Sequence, residues 1–262
     1  MPSDVFAFGR ALIETGDLDP TYIVLWEAQL EPELRAKFLL AYWCFYHFGT
    51  ASWISSQGNY WEALLGAAST KEHPRSSERR HFRGGQAIRA VEELLGLRLT
   101  PARLVAQLGS QGESPTLSTV MSRVKRHRGF GDWIGFKVAD MLERLDLCPI
   151  QFKPEDVFSM YEAPRKGAEL VASELGYTGE DPYTFAYDAI LEQLGDLQAP
   201  PRRERGINIQ EIETILCKYK SHKNGRYVVG HDIEEVRHGL LRYAKCKLSQ
   251  RLLVAGNTGG LW

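Results

Sequence analysis

No two of the four cysteines (Cys44, Cys148, Cys217, Cys246) form a C-x-x-C pair, and none stands at zinc or iron–sulfur spacing. A disulfide scaffold and a structural metal knuckle are therefore excluded, and free thiols are the expectation. No apolar run approaches the ~20 residues needed to cross a bilayer. The opening segment MPSDVFAFGRALIETGD lacks the basic-then-apolar order of a signal peptide, so the cytoplasm is the expected compartment. A dominant charge is also missing: 32 basic residues face 33 acidic ones, for a net charge of −1. No global positive field advertises a polyanionic partner, and any nucleic acid must be met by local patches. Strand-like alternation is nearly absent, as are low-complexity tracts and internal repeats.

What the 262 residues do contain is helical periodicity, which predicts a mainly α fold. Pro32–Phe48 is too apolar for a solvent-facing helix and is expected to be central; His47 within it reads as a satisfied core residue. Ala87–Leu95 has apolar residues at helical spacing, with Gly96 marking its end. Thr100-Pro101 and Ser114-Pro115 are cap-then-proline starts, the second for a helix running through Val124. Further helices are expected over Asp132–Leu145, Pro164–Leu175, Tyr183–Leu194, Ile209–Tyr219 and Asp232–Leu253. Ala199-Pro200-Pro201 is the best internal break. It predicts a helical core over residues 1–198 and a C-terminal helical unit, 199–262, that packs on the core without being independent.

Charge is patchy. Lys71–Arg89 carries six basic residues against two acids, Arg123–Arg128 four with one histidine and no acid, and Arg202–Arg226 seven against three. These are candidate phosphate-facing surfaces. The middle patch runs into Gly129-Phe130-Gly131, then Trp133 and the helix of Asp132–Leu145. Two glycines permit a sharp turn with unshielded amides. A helix opened by such a turn offers those amides and its positive dipole end to a phosphate oxygen.

Gly129-Phe130-Gly131 with Trp133 and Ala139-Asp140 resembles the helix–hairpin–helix of the DNA glycosylase superfamily. A wider set of motifs resembles a second family: GDLDPTYIVLW, RRHFRGGQAI, this hairpin, and ETILCKYKSHKNGRYVVGHDI. On them, over about Asp17 to Leu253, the chain is similar to the phage amino-acid:DNA transferases, also described as glutamyl/putrescinyl-thymine pyrophosphorylases. The resemblance implies a helix–hairpin–helix, glycosylase-like helical fold. It also implies a reaction in which an amino acid or polyamine displaces pyrophosphate from 5-pyrophosphoryloxymethyluracil in double-stranded DNA. The pyrophosphorylated base would come from a 5-hydroxymethyluracil DNA kinase, and a phage-encoded enzyme would work in the host cytoplasm.

Such chemistry has three needs. The target nucleotide must be flipped out while its backbone is held, for which Arg126, His127, Arg128, Gly129, Phe130, Gly131 and Trp133 are candidates. Trp133, Phe130, Tyr46 and Trp53 are the aromatics available to the flipped ring. The departing pyrophosphate needs cations, which Arg79, Arg80, His81 and Arg83, or Lys218, Lys220, His222, Lys223 and Arg226, would supply. The amine must lose a proton before it attacks. In the glycosylase superfamily a catalytic aspartate follows the hairpin by twenty residues or slightly more. Asp156, 25 positions after Gly131, is accordingly the expected base, with Glu155 its understudy. No metal ligand is assigned, since no cluster of Asp and Glu marks a site; magnesium would enter with the pyrophosphate. A base-excision glycosylase and a non-catalytic helical DNA-binding protein remain as alternatives.

Overall fold

Prolines and polar caps set most of the helix starts. The computed structural model describes residues 4–109 and 115–262. Asp4 opens α1 (Val5–Thr15) by accepting from the Ala7 amide at 2.8 Å. Pro20 and Pro32 stand in the first turns of α2 (Pro20–Ala28) and α3 (Pro32–Phe45). After α4 (Phe48–Ser55) and α5 (Tyr60–Ser69) come α6 (Gly84–Gly96) and α7 (Pro101–Gly109), which begins at the expected Thr100-Pro101. Ser114 lies outside the described residues; the cap of α8 (Leu117–Val124) is Thr116, whose hydroxyl accepts from the Thr119 amide.

α9 (Asp132–Arg144) follows the glycine turn, and α10 (Pro154–Met160), α11 (Glu162–Glu174) and α12 (Pro182–Leu194) follow α9. α13 (Ile209–Lys223) starts on a reciprocal capping box: Asn208 accepts from the Gln210 amide, and Glu211 accepts from the Asn208 amide. α14 (His231–Leu241) and α15 (Lys247–Thr258) complete the chain. The fold is mainly α, and among the described residues the only β pairings are isolated bridges, Thr116 with Gln151 and Gln198 with Gly206.

Two expected helices divide. The helix expected over Pro32–Phe48 ends at Phe45, because Tyr46 adopts a left-handed φ of 47° and His47 begins α4. The His47 ring, not a hydroxyl or carboxylate, caps that helix: Nδ1 accepts from the Thr50 amide at 3.0 Å. The helix expected over Asp232–Leu253 breaks between Leu241 and Lys247. α14 crosses α4 very closely: a Cβ on Gly49 would lie 1.8 Å from the Gly239 carbonyl oxygen, so no side chain fits there.

The cap on α4 has a pH consequence. Burial, with Arg242 adding to it, lowers the His47 pKa from an ordinary 6.5 to about 4. Below pH 6.5 the unfolded chain takes up the proton while the folded chain, which needs Nδ1 as an acceptor, refuses it. Stability conferred by neutral His47 is therefore present above pH 6.5 and lost as pH falls towards 4, by about 2–3 kcal/mol. Replacing His47 by asparagine keeps a cap acceptor and removes the titration. The expected result is a flatter acid limb in a plot of Tm against pH; an unchanged limb would refute this account.

α9 is the central helix. Phe136, Val138, Ala139 and Met141 are fully buried, and Trp43 of α3 points its indole nitrogen at the Met141 sulfur, 3.2 Å away. α9 packs on α3 and α8; α13 packs on α1 and α11; α14 packs on α2 and α4, and α15 on those two helices as well. That arrangement leaves a space where α2, the α3–α4 junction, α9, α13 and α14 converge.

Candidate active site

This space is a cavity of about 410 Å³. That volume suits a single small molecule or one nucleobase. Its apolar wall is aromatic: Tyr42, Tyr46, Phe48, Trp133 and Tyr161. Tyr46 and Trp133 meet edge to face with ring centroids 4.7 Å apart. Its polar wall mixes signs, with Asp19, Glu213, Asp232 and Glu235 beside Lys137, Lys218 and Lys220.

The helical repeat of α13 sets much of this wall. Glu213, Cys217, Lys220 and Ser221 recur at spacings of three and four, so they share one face. Glu213 is 1% exposed and well coordinated. Its Oε1 accepts from the Cys217 thiol at 3.2 Å and from the Tyr161 hydroxyl, and its Oε2 lies 3.4 Å from Lys137 Nζ. Burial opposes the Lys137 ammonium, but the carboxylates of Glu213, Asp19 and Asp140 outweigh it and hold the pKa above the ordinary lysine value. Lys137 therefore stays charged inside a wall where it is 7% exposed. Burial first, then the charge and hydrogen bond of Glu213, push the Cys217 thiol well up, while Lys137 and Lys220 pull it down.

A second set of contacts places α14 on this wall. Asp17, fully buried, accepts from the Gly230 amide at 2.6 Å, the Ile233 amide at 3.0 Å and the Tyr227 hydroxyl at 2.6 Å. It thus caps α14 from across the chain. Asp232, held on that first turn, pairs with Lys218 at 2.6 Å. His231, Asp232 and Glu235 bring one ligand atom each within 4.8 Å of one another. An imidazole with two carboxylates suits Mn2+ or Zn2+ better than Mg2+. The Lys218 contact, however, already takes one of the Asp232 oxygens.

The glycine turn lies next to the cavity. Gly129 has φ 77°, a conformation that favours glycine, and Gly131 caps α9, so Trp133 stands two residues beyond the turn. Trp133 lines both the cavity and a smaller pocket of about 230 Å³ shared with Arg79, Gly129 and Gly131. Arg126 and Arg128 are exposed at the turn, and Arg128 pairs with exposed Glu93 at 2.6 Å. A pair of that kind contributes little and leaves the guanidinium open to a stronger anion.

Several expected site residues have other positions. The Phe130 side chain is 5% exposed, beneath the Arg79 guanidinium, and its amide donates to the His127 carbonyl at 3.1 Å within the turn. Arg79 is buried too; it donates to the carbonyls of Cys44 (3.0 Å) and Gly129 (2.7 Å) and stacks over Phe82, bracing the turn from within. Trp53 stacks on His73 and does not line the cavity. His222 stacks on Phe8, and its Nδ1 meets the Tyr227 carbonyl; Lys223 pairs with Glu174. Arg80, His81 and Arg83 are exposed around the start of α6.

Asp156 and Glu155 occupy the first turn of α10. Asp156 lines an open groove with Lys125, Arg126, Asp132 and Met160, and it does not line the 410 Å³ cavity. The cavity thus unites Trp133, Tyr46, Lys218 and Lys220 from the expected set. It adds Asp19, Lys137, Tyr161, Glu213 and Cys217, which sequence reasoning did not single out. A signal existed for three of these: Lys137 is the lone basic residue within the apolar run Ile134–Leu142, and Glu213 and Cys217 are one helical turn apart.

The family model for amino acid:DNA transferase matches residues 10–226. The glycinyltransferase of Pseudomonas phage PaMx11 is 39% identical over 267 residues, covering 91% of this chain and 90% of that protein. The putrescinyltransferase of Delftia phage PhiW-14 is 28% identical over 251 residues, covering 91% of this chain and 78% of that protein.

Proposed function

The chain belongs to the amino acid:DNA transferase family, and we propose that its cavity receives a pyrophosphorylated hydroxymethyluracil flipped out of duplex DNA and exchanges the pyrophosphate for an amine. The chain is a transferase, and the hypermodification of DNA by amine transfer is the reading its relatives favour over base excision. The observation that carries the assignment to this cavity is its junction with the glycine turn: Trp133 sits in the wall, two residues past Gly131.

On this reading the amides of the turn and of the first turn of α9 hold a backbone phosphate without reading sequence. Arg126 and Arg128 supply charge beside it. Tyr46 and Trp133 together give the extruded ring an aromatic wall. Lys218 and Lys220 face the departing pyrophosphate, where negative charge grows as the bond to carbon breaks. A carboxylate acts as the general base; Glu213 is our first choice, and Asp156 in its groove the second. The helix–turn–helix of α8 and α9, used in this way, is the basis for extending the reading to a glycosylase-like, base-flipping scaffold. The substrate chemistry requires a kinase acting on 5-hydroxymethyluracil beforehand, and DNA as acceptor puts the work in the host cytoplasm for a phage-encoded enzyme.

Glycine heads the donors, since a wall with both lysines and carboxylates complements an amino acid zwitterion, and the glycinyltransferase is the more similar of the two relatives. The test is to incubate duplex DNA containing 5-pyrophosphoryloxymethyluracil with glycine or putrescine, digest it and weigh the nucleosides. An amine-substituted thymidine with released pyrophosphate is the expected outcome. Free base with abasic sites would overturn the reading in favour of excision.

A further inference from the structure

Cys217 is the only cysteine that lines the cavity among the described residues; Cys44 and Cys148 are buried elsewhere, and Cys246 lies against Ser56. It is half-buried at the wall, and its thiol donates to Glu213, whose other oxygen faces Lys137. A structural cysteine needs neither a carboxylate partner nor a place in a ligand-sized space walled by aromatics. The proposed substrate makes this placement meaningful. C6 of a uracil is conjugated to the C4 carbonyl and is electrophilic, and addition there turns C5 into an enolate carbon able to expel a leaving group from its methylene.

We infer that Cys217 is the nucleophile of the transfer, adding through sulfur to C6 of the flipped pyrimidine so that pyrophosphate is expelled from the C5 methylene. This step rests on the function proposed above. Glu213 takes the thiol proton as the S–C6 bond forms, and the ring electrons move to the C4 oxygen as an enolate. The enolate collapses, the C–O bond to pyrophosphate breaks, and a C5 exocyclic methylene remains. The amine, having given one proton to solvent, adds through nitrogen to that methylene and regenerates the enolate. Reforming C5=C6 then expels the thiolate, which recovers its proton from Glu213. Nothing is oxidised or reduced; one amine enters, and one pyrophosphate leaves.

The resting thiol is protonated, held by burial and by Glu213, so the nucleophile forms only as the base withdraws the proton in contact with substrate. Lys137, charged and 3.4 Å from Glu213, supplies the positive field that the thiolate and enolate both need.

The experiment uses the full chain with the same pyrophosphorylated duplex. With glycine present, Cys217→Ala is expected to lower turnover by roughly a hundredfold or more, with duplex affinity within threefold of wild type. With glycine omitted, the wild type is expected to release about one pyrophosphate per enzyme. It should also leave a denaturation-resistant protein–DNA adduct whose peptide mass maps to Cys217. Deuterium at C6 should give an inverse isotope effect on pyrophosphate release. Cys217→Ala with turnover near wild type overturns the proposal. So does an inactive variant when the wild type shows neither adduct nor isotope effect, because the cysteine then acts only through packing. A wild type that modifies the base but forms no Cys217 adduct leaves the function standing and removes this step; one that modifies no base with any amine removes both.

Discussion

Replacing Glu213 by glutamine is expected to reduce turnover on pyrophosphorylated DNA by about 10²–10⁴, the range that a positioned general base contributes. Asp156→Asn is expected to stay within about tenfold of wild type, a loss below that range. The two variants decide between places on the molecule. Glu213 holds a thiol, a phenol and an ammonium at the wall of the 410 Å³ cavity. Asp156 stands in an open groove among Lys125, Arg126 and Asp132, where water competes for every proton. Glutamine keeps the size and one acceptor of Glu213 but leaves the Lys137 charge without its counter-ion. A fall in Tm must therefore be measured alongside turnover. A Glu213→Gln variant that keeps the wild-type Tm and loses turnover isolates the chemical role. If Asp156→Asn is the inactive variant and Glu213→Gln the active one, the reaction belongs in the groove and the cavity assignment fails.

The α pattern was legible because proline and threonine mark helix starts by local rules: Thr100-Pro101 before α7 needs no tertiary partner. Breaks made by distant contacts were not legible. Nothing local announces that Tyr46 turns left-handed, or that Gly49 and Gly239 must touch, yet those features separate α3 from α4 and dock α14 against it. The site divided in the same way. Trp133 was readable from the hairpin, and Lys218 and Lys220 from the basic cluster. The cluster itself was misleading for its neighbours, because helical geometry turns Lys220 towards the cavity and His222 towards Phe8. Arg79 read as a phosphate ligand from its run of basic residues; burial makes it a brace for the turn instead, with its pKa lowered to about 10. Glu213 and Lys137 gain their chemistry only when α9 and α13 bury them together, which spacing along one helix does not encode.

The charge network behind the cavity yields the second large effect: Arg144→Met is expected to destabilise the fold by about 3–5 kcal/mol, the cost of breaking a buried ion cluster from one side. Arg144 is 1% exposed. It donates twice to the Pro200 carbonyl, at 3.0 and 2.6 Å, pairs with Asp19, and lies 3.3 Å from Glu211 and 3.8 Å from Asp140. Methionine fills much of the volume but leaves buried Asp19 and Asp140 without that cation, while Glu211 keeps Arg205 at 3.0 Å. At roughly 2–4 °C per kcal/mol for a chain of this size, Tm should drop by about 10 °C. The sign with pH is fixed. Burial already pushes Asp140 up towards about 7 against the pull of Arg144 and Lys137. Removing Arg144 raises the folded-state pKa of Asp140 further above its unfolded value. Stability linked to such groups is complete below the unfolded value, near 4, and is lost as pH rises through the folded value. The gap in Tm between wild type and Arg144→Met should therefore be widest near pH 8 and narrow towards pH 5. A gap that is constant across this range would mean that the carboxylates find other donors, with Tyr22 and Gln210 on Asp140 the nearest at 2.7 and 2.9 Å. Because Asp19 borders the cavity, the same variant should lose turnover even where it remains folded. That couples the stability of this wall to the chemistry it supports.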